Sequence, residues 1–140
     1  MNMLINRSRF SKISVLGAAA AATLLFAGSA SAAAAPALTV TPSTGLTDGQ
    51  TVAVAGSGYV AGTEVGVSQC VNDTTCADAT VHTTADANGG FNVSYDVQTT
   101  FTATDWNTGE TVTVDCAVDD CAIVAWEEVG GPVAHPISFG

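Results

Sequence analysis

Residues 86–97 read DANGGFNVSYDV, and this stretch decides the fold. Its first five residues predict a tight turn, because an Asn-Gly pair tolerates the positive φ angles that hairpin turns need. The seven residues that follow alternate strictly between apolar and polar side chains, which is the period of a half-buried β-strand. A turn that leads into such a strand indicates antiparallel β structure.

The same alternation recurs along the rest of the chain. Val, Thr and aromatic residues dominate these runs, and Gly, Asn, Asp and Pro separate them. No window after the N-terminal segment shows an apolar stripe of helical period. Strands at intervals of about ten residues predict a single domain, an antiparallel immunoglobulin-like β-sandwich. The predicted strand runs are 38–41, 51–55, 64–70, 80–84, 91–97, 111–116, 122–126 and 133–139.

The N-terminal segment resembles an export signal. Arg7, Arg9 and Lys12 form a positive region, and the apolar run 13–28 follows it. The small residues 29–32 then supply an A-x-A cleavage pattern. An apolar run of 16 residues, counted over 13–28, is short for a membrane span of about 20 residues. The sequence therefore predicts a signal peptide at 1–32, a secreted protein, and a mature domain at 33–140.

The predicted mature domain is strongly acidic. All 13 Asp and Glu residues lie in it, and it contains no Lys or Arg. A surface without cations cannot release counterions from phosphates, so direct binding to nucleic acid is excluded. The same charge excludes attraction to anionic lipid and opposes self-association, so we expect a monomer that does not bind membranes.

The four cysteines form two close pairs in the sequence, Cys70 with Cys76 and Cys116 with Cys121. Export favours disulfides over thiolate ligands, and the spacings do not suit a zinc site. Three connectivities are open from the sequence alone. If each close pair is bridged, each disulfide closes its own short hairpin.

Candidates for catalysis and for metal binding are few. Ser68 or Ser94 with His82 and a carboxylate would make a hydrolase triad, but no sequence frame for one is present. His82 fits better as an ordinary strand residue. The turn 86–90 resembles a calcium loop only faintly, since it lacks the other ligands. The sequence predicts neither an enzyme nor a metal site.

The aromatic residues carry more information. Phe91, Tyr95 and Phe139 lie in strand runs and are expected in the core. Trp106 lies in the polar segment 102–109, where its indole either caps one end of the sandwich or lines a ligand cleft. Trp126 ends a strand run and is expected near a rim.

The chain resembles the neocarzinostatin family of enediyne antibiotic apoproteins over nearly the whole predicted mature domain. The segment APALTVTPSTGLTDGQTVAVAGSGYVAGT at 35–63 and the terminal ISFG are the most specific matches. Further matches are Gln69-Cys70, TADANG at 84–89, VQTTF at 97–101, VTVDC at 112–116 and CAIV at 121–124.

The resemblance implies a seven-stranded immunoglobulin-like sandwich with the hairpin disulfides Cys70–Cys76 and Cys116–Cys121. It also implies a secreted carrier that needs no other cofactor and is not an enzyme. Such a carrier binds an enediyne chromophore without a covalent bond, shields it from water and thiols, and releases it to damage DNA. DNA is then a partner only through the released chromophore.

Carried over to this sequence, the family's cleft gives a candidate ligand-binding set. Trp106 matches a cleft aromatic, whereas Asn72, Thr80 and Thr104 stand where the family has aromatic residues. Ala122 replaces a glutamine and Trp126 a serine. The full set predicted to line the cleft is Val71, Asn72, Thr80, Thr104, Trp106, Ala122, Val124 and Trp126. Because the lining differs from the family's, a secreted immunoglobulin-like binding or surface-interaction module without a chromophore stays open as the alternative.

Overall fold

Nine β-strands build the part of the chain that the computed structural model describes, residues 34–140. Residues 1–33, with the predicted signal peptide, lie outside the described residues. The strands are β1 (Ala37–Thr41), β2 (Thr51–Ser57), β3 (Glu64–Cys70), β4 (Thr75–Thr84), β5 (Phe91–Asp96), β6 (Thr100–Asp105), β7 (Thr111–Asp115), β8 (Cys121–Glu127) and β9 (Gly131–Ile137).

The strands form two antiparallel sheets. The smaller sheet has the order β1-β2-β5, and the larger has the order β7-β6-β4-β3-β8-β9. β4 pairs with β6 over only three residues, Thr75–Ala77. The two sheets pack face to face, which confirms the predicted antiparallel sandwich.

The core lies between the sheets and follows from the alternation in each strand. Val52 and Val54 of β2 face Val65 and Val67 of β3 in one apolar cluster, and all four are at most 1% exposed. Phe91 and Tyr95 are also buried there, as predicted. A strand that alternates in this way buries one face and leaves the other free for a different use.

Polar contacts fix the register of the core. The buried Gln69 side chain binds the backbone of Gln98 twice: its Nε2 donates to the carbonyl at 2.7 Å, and its Oε1 accepts from the amide at 2.9 Å. The Tyr95 hydroxyl donates to the Ala79 carbonyl at 2.8 Å. Buried polar groups that are fully paired specify one arrangement of the strands.

The described residues form nine strands, against the eight runs predicted from the sequence and the seven strands that the family resemblance implies. β6 has no counterpart among the predicted runs, because the sequence predicts residues 102–105 as part of a polar segment. Phe101 and Ala103 of β6 are buried and its threonines point outward, so the segment does alternate. Ala103 is too small to give a strong apolar signal, which is why the strand went unrecognised.

Both disulfides predicted from the resemblance are present. Cys70–Cys76 joins β3 to β4 across their hairpin turn, as expected. Cys116–Cys121 does not close a hairpin of paired strands, because β7 pairs with β6 and β8 pairs with β3. It closes the loop that carries the chain from one strand to the other.

The predicted turn at 86–90 is confirmed. Asp86 Oδ1 accepts hydrogen bonds from the amides of Asn88 at 2.8 Å and Gly90 at 2.9 Å, and Gly89 has φ +78°. These bonds, the one from Gly90 first, lower the pKa of the Asp86 carboxyl. The carboxylate is thus engaged by the backbone of its own turn.

Candidate functional site

The candidate site lies on the outer face, which we define as the surface of the larger sheet that turns away from the smaller sheet. On β3 and β8 this face is formed by Gly66, Ser68, Cys70, Ala122, Val124 and Trp126. Val124 packs there with the Cys70–Cys76 disulfide into a second apolar cluster, separate from the core. Ala122 and Trp126 pack against that cluster. A sheet face that buries apolar groups away from the core is a candidate for holding a ligand.

Trp126 lies flat across β3 because Gly66 has no side chain. The two residues are direct cross-strand partners. A Cβ atom on Gly66 would stand 2.6 Å from Cε2 and Cζ2 of the indole, which is too close for any real contact. Gly66 therefore sets the position of the Trp126 ring.

Trp106 reaches the same ring from the β6–β7 end of the larger sheet, across β4 and β3. It lies in the turn between β6 and β7, where its amide donates to the Thr74 carbonyl at 2.9 Å. The two indole centroids are 4.8 Å apart with the planes at 69°, an edge-to-face pair. Such a pair contributes about 0.5–1.5 kcal/mol beyond area burial. Trp106 is nevertheless 48% exposed, so much of its surface remains available.

An open groove of about 460 Å³ lies beside Trp126. It is lined by Thr63, Glu64, Gly66, His82, Trp126, Glu127, Glu128 and Val129. Two of these residues, Glu64 and Glu128, are exposed glutamates, so the groove has an aromatic wall and an acidic rim. The indoles contact each other without filling this space.

His82 lies in the same cross-strand row as Gly66 and Trp126, because Gly66 pairs with His82 on its other side. Residues paired in this way point to the same side of the sheet. The His82 Nδ1 is 2.9 Å from the Oε1 of Glu64. Both side chains are mostly exposed, so this contact contributes little to stability.

Glu127 braces the floor of the groove. It is 4% exposed, and its Oε2 accepts hydrogen bonds from the Thr63 hydroxyl at 2.8 Å and the Val60 amide at 3.2 Å. These bonds hold the β2–β3 loop against the end of β8. The buried Tyr59 hydroxyl has no hydrogen-bond partner, and its pKa is raised by burial first and by the Glu127 charge second.

The structure brings together four of the predicted cleft residues, namely Trp106, Trp126, Ala122 and Val124. The other four are placed differently. Val71 packs against the main core, since the alternation Val65, Val67, Gln69 continues to it. The Asn72 Oδ1 accepts from the amides of Thr74 and Thr75 and so caps its own turn.

The two threonines flank the outer face on the other strands. Thr80 is half-buried and pairs with Ser68, and the Thr104 hydroxyl donates to Asp78 at 3.0 Å. Ser68, the serine considered for a triad, has its hydroxyl within 3.0 Å of the carbonyls of Ala77 and Ala79. That serine is committed to the backbone of β4.

The sequence does not predict Gly66, Glu64 and Glu127 as parts of the site, and it predicts His82 only as a strand residue. The alternation of β3 and β4 does place Gly66 and His82 on the outer face. The alternation does not give the order of the strands in the sheet. That order places Trp126 beside Gly66 and His82. Among residues 34–140, no group of three or more His, Cys, Asp or Glu is arranged to hold a metal ion, and no helix is long and apolar enough to cross a membrane.

Comparisons with known proteins agree with this fold. The model of the neocarzinostatin family matches residues 38–139. Macromomycin from Streptomyces macromomyceticus is 36% identical, covering 98% of this chain and 99% of its own. The antitumor antibiotic C-1027 apoprotein from Streptomyces globisporus is 36% identical over 84% of this chain and 82% of its own. The solved structure of macromomycin superposes with a TM-score of 0.70 at 35% identity, over 76% of this chain and all of that one.

Proposed function

This chain belongs to the neocarzinostatin family, and from that premise we propose that it is an antibiotic apoprotein. It binds, stabilises and carries an enediyne-type or similar apolar chromophore that damages DNA. One relative is itself named as the apoprotein of an antitumor antibiotic. The protein acts as a carrier and not as an enzyme, and its ligand is a small molecule held without a covalent bond.

The observation that carries the proposal is the open groove beside the Trp106–Trp126 pair. A volume of about 460 Å³ falls in the range of small-molecule sites, which run from roughly 300 to 1,000 Å³. The indole of Trp126 supplies a rigid aromatic wall on which a planar ring system stacks. Burial of apolar ligand surface there contributes about 25 cal/mol per Å².

The proposed binding set has two parts. Trp126 is the aromatic wall of the groove, and Trp106, Ala122 and Val124 continue the apolar surface beside it. Thr80 and Thr104 lie at the edge of this surface. Asn72 and Val71 act indirectly, because they hold the Cys70–Cys76 turn whose Thr74 carbonyl fixes Trp106. Glu64, His82 and Glu128 form the polar side, and Gly66 lies under the Trp126 indole.

We further propose that the protein is secreted after removal of residues 1–32 and works as a monomer. The sequence pattern of the N-terminal segment supports export. From Ser14 onward the chain has 13 Asp and Glu residues and no Lys or Arg. This negative charge supports solubility without self-association. DNA is reached only by chromophore that has left the protein.

The test is a fluorescence titration with 2-naphthylmethanol, a neutral aromatic probe, on the wild-type domain and on Trp106→Ala. We expect the substitution to weaken binding by about 1–3 kcal/mol. The unfolding free energy should fall less, by about 0.5–1.5 kcal/mol for the lost indole pair, since the ring is half exposed. Val118→Ala is the matched control, because Val118 is an exposed apolar residue in a different loop. A loss mainly of stability, with binding unchanged, would contradict the proposal.

One observation favours a second function, a secreted binding or surface-interaction module without a chromophore. The two indoles contact each other, so part of the outer face is occupied by the protein's own side chains. Under this alternative 2-naphthylmethanol does not bind, and the fluorescence of both tryptophans stays unchanged when it is added. The same titration therefore separates the two functions.

A further inference from the structure

The sequence from Ser14 onward is nearly free of strong side-chain nucleophiles. It contains no lysine, and both methionines are at the N-terminus, Met1 and Met3. All four cysteines are tied up in the two disulfides, so residues 34–140 hold no free thiol. The two histidines, His82 and His135, are the nitrogen nucleophiles that remain among the side chains.

Only one of these two histidines lines the groove. His82 is an exposed residue of β4 in the cross-strand row that holds Gly66 and Trp126. His135 lies on β9, half-buried, and its Nδ1 is 2.9 Å from the carbonyl of its neighbour Pro136. The groove and its aromatic wall therefore act on His82 and not on His135.

Glu64 selects the tautomer of the neutral His82 ring. A carboxylate accepts hydrogen bonds, so at 2.9 Å the Nδ1 of His82 carries the proton. The neutral ring then has its free lone pair on Nε2. A carboxylate in this place also stabilises positive charge that develops on the ring, as in other histidine–carboxylate pairs.

We propose that His82 is a covalent modification site, at which Nε2 is alkylated by an aromatic carbon electrophile held against Trp126. The inference rests on the proposed function, because it takes the groove to bind an aromatic guest. Glu64 is a positioning residue, which acts through His82 and does not touch the electrophile.

An aryl epoxide is an electrophile of this kind. The Nε2 lone pair forms a bond to an epoxide carbon, the bond from that carbon to oxygen breaks, and the electron pair stays on the oxygen. The oxygen takes a proton from water. The ring becomes an imidazolium that faces Glu64 and then loses its Nδ1 proton to the hydroxide that was released. No oxidant or reductant is involved.

The experiment treats the folded protein with styrene oxide at about pH 8, where imidazole is neutral, and maps the products by peptide mass spectrometry. Holding the ring beside the nucleophile should make His82 react at least about tenfold faster than His135. Propylene oxide, which lacks the aromatic ring, is the matched reagent and should show no such preference. Glu64→Gln should slow the reaction at His82 about fivefold, whereas Asp120→Asn, which changes an exposed carboxylate of the Cys116–Cys121 loop outside the groove lining, should not.

The outcomes separate this inference from the proposed function. Equal reaction at both histidines, or reaction mainly at carboxylates, overturns the inference, and if 2-naphthylmethanol still binds the carrier function stands. Failure of the naphthalene probe to bind overturns the carrier function, and the preference for styrene oxide over propylene oxide is read independently of it. His82→Gln should abolish the fast reaction, and circular dichroism confirms that each variant is folded.

Discussion

At the scale of single residues, Gly66 decides where Trp126 lies. We expect Gly66→Ala to push the indole off β3, because the added carbon would stand 2.6 Å from two ring atoms. Overpacking of this kind costs about 1–3 kcal/mol of stability. Fluorescence of the indole pair and chemical denaturation measure both effects.

Gly90→Ala is the control for this change. Its Cβ would come no closer than 3.4 Å to Asp86 Oδ2 and to the Gly56 carbonyl oxygen, and like Gly66 it lacks a positive φ. A Trp spectrum that shifts equally in both variants would count against the role given to Gly66.

Tyr59 allows a second prediction, about a buried hydroxyl without a partner. Tyr59→Phe should leave stability unchanged or raise it by up to about 1 kcal/mol, because it removes an unpaired polar group. Tyr95→Phe is the matched control and should cost about 1–2 kcal/mol, since that hydroxyl bonds to Ala79. Urea denaturation of both variants near neutral pH decides the point, and a larger loss at Tyr59 would refute it.

The raised pKa of Tyr59 also predicts a pH dependence. The folded protein disfavours the phenolate, through burial first and the Glu127 charge second. The preference of the folded state for the neutral phenol contributes to the free energy of unfolding. This contribution is fully present below the ordinary tyrosine pKa of 10.0 and is lost as the pH rises through the pKa of Tyr59 in the folded state. Wild type should therefore lose more stability than Tyr59→Phe when the pH is raised above about 10. Parallel curves for the two proteins would argue against this.

At the scale of elements, the Cys70–Cys76 hairpin supports the binding face. Its turn carries the Thr74 carbonyl that fixes Trp106, and its sulfurs pack under Val124. Replacing both cysteines by serine should cost about 2 kcal/mol of stability and weaken binding of 2-naphthylmethanol. The same replacement at Cys116 and Cys121 should cost similar stability but leave binding unchanged, because that loop is lined by Pro136 and Ile137 rather than by tryptophan. Equal loss of binding in both variants would contradict this.

The elements also explain what the sequence could predict. Alternation and turn chemistry predicted most strands, because each strand shows its own period. The exception is β6, whose buried Ala103 is too small to give a strong apolar signal. The Trp106–Trp126 contact could not be predicted in this way. It depends on the three-residue pairing of β4 with β6 and on the strand order, and both are non-local. Val71, which was expected to line the cleft, packs against the main core, in line with the period of β3.

At the scale of the whole molecule, charge governs the relation to DNA. Residues 34–140 carry 13 carboxylates and no lysine or arginine, so the protein should not retard duplex DNA in a gel even at low salt. Transfer of a cargo to DNA then requires release first. Tight binding that weakens as salt is added would contradict this prediction.

The central claim is that the outer face holds a foreign ring system without a covalent bond. The most direct test is native mass spectrometry, with absorbance, of the protein purified gently and in the dark from the strain that produces it. We predict a small-molecule adduct that absorbs above the protein band and leaves on denaturation. Protein that carries no such molecule, when it is purified from a culture with antibiotic activity, would contradict the proposed carrier function.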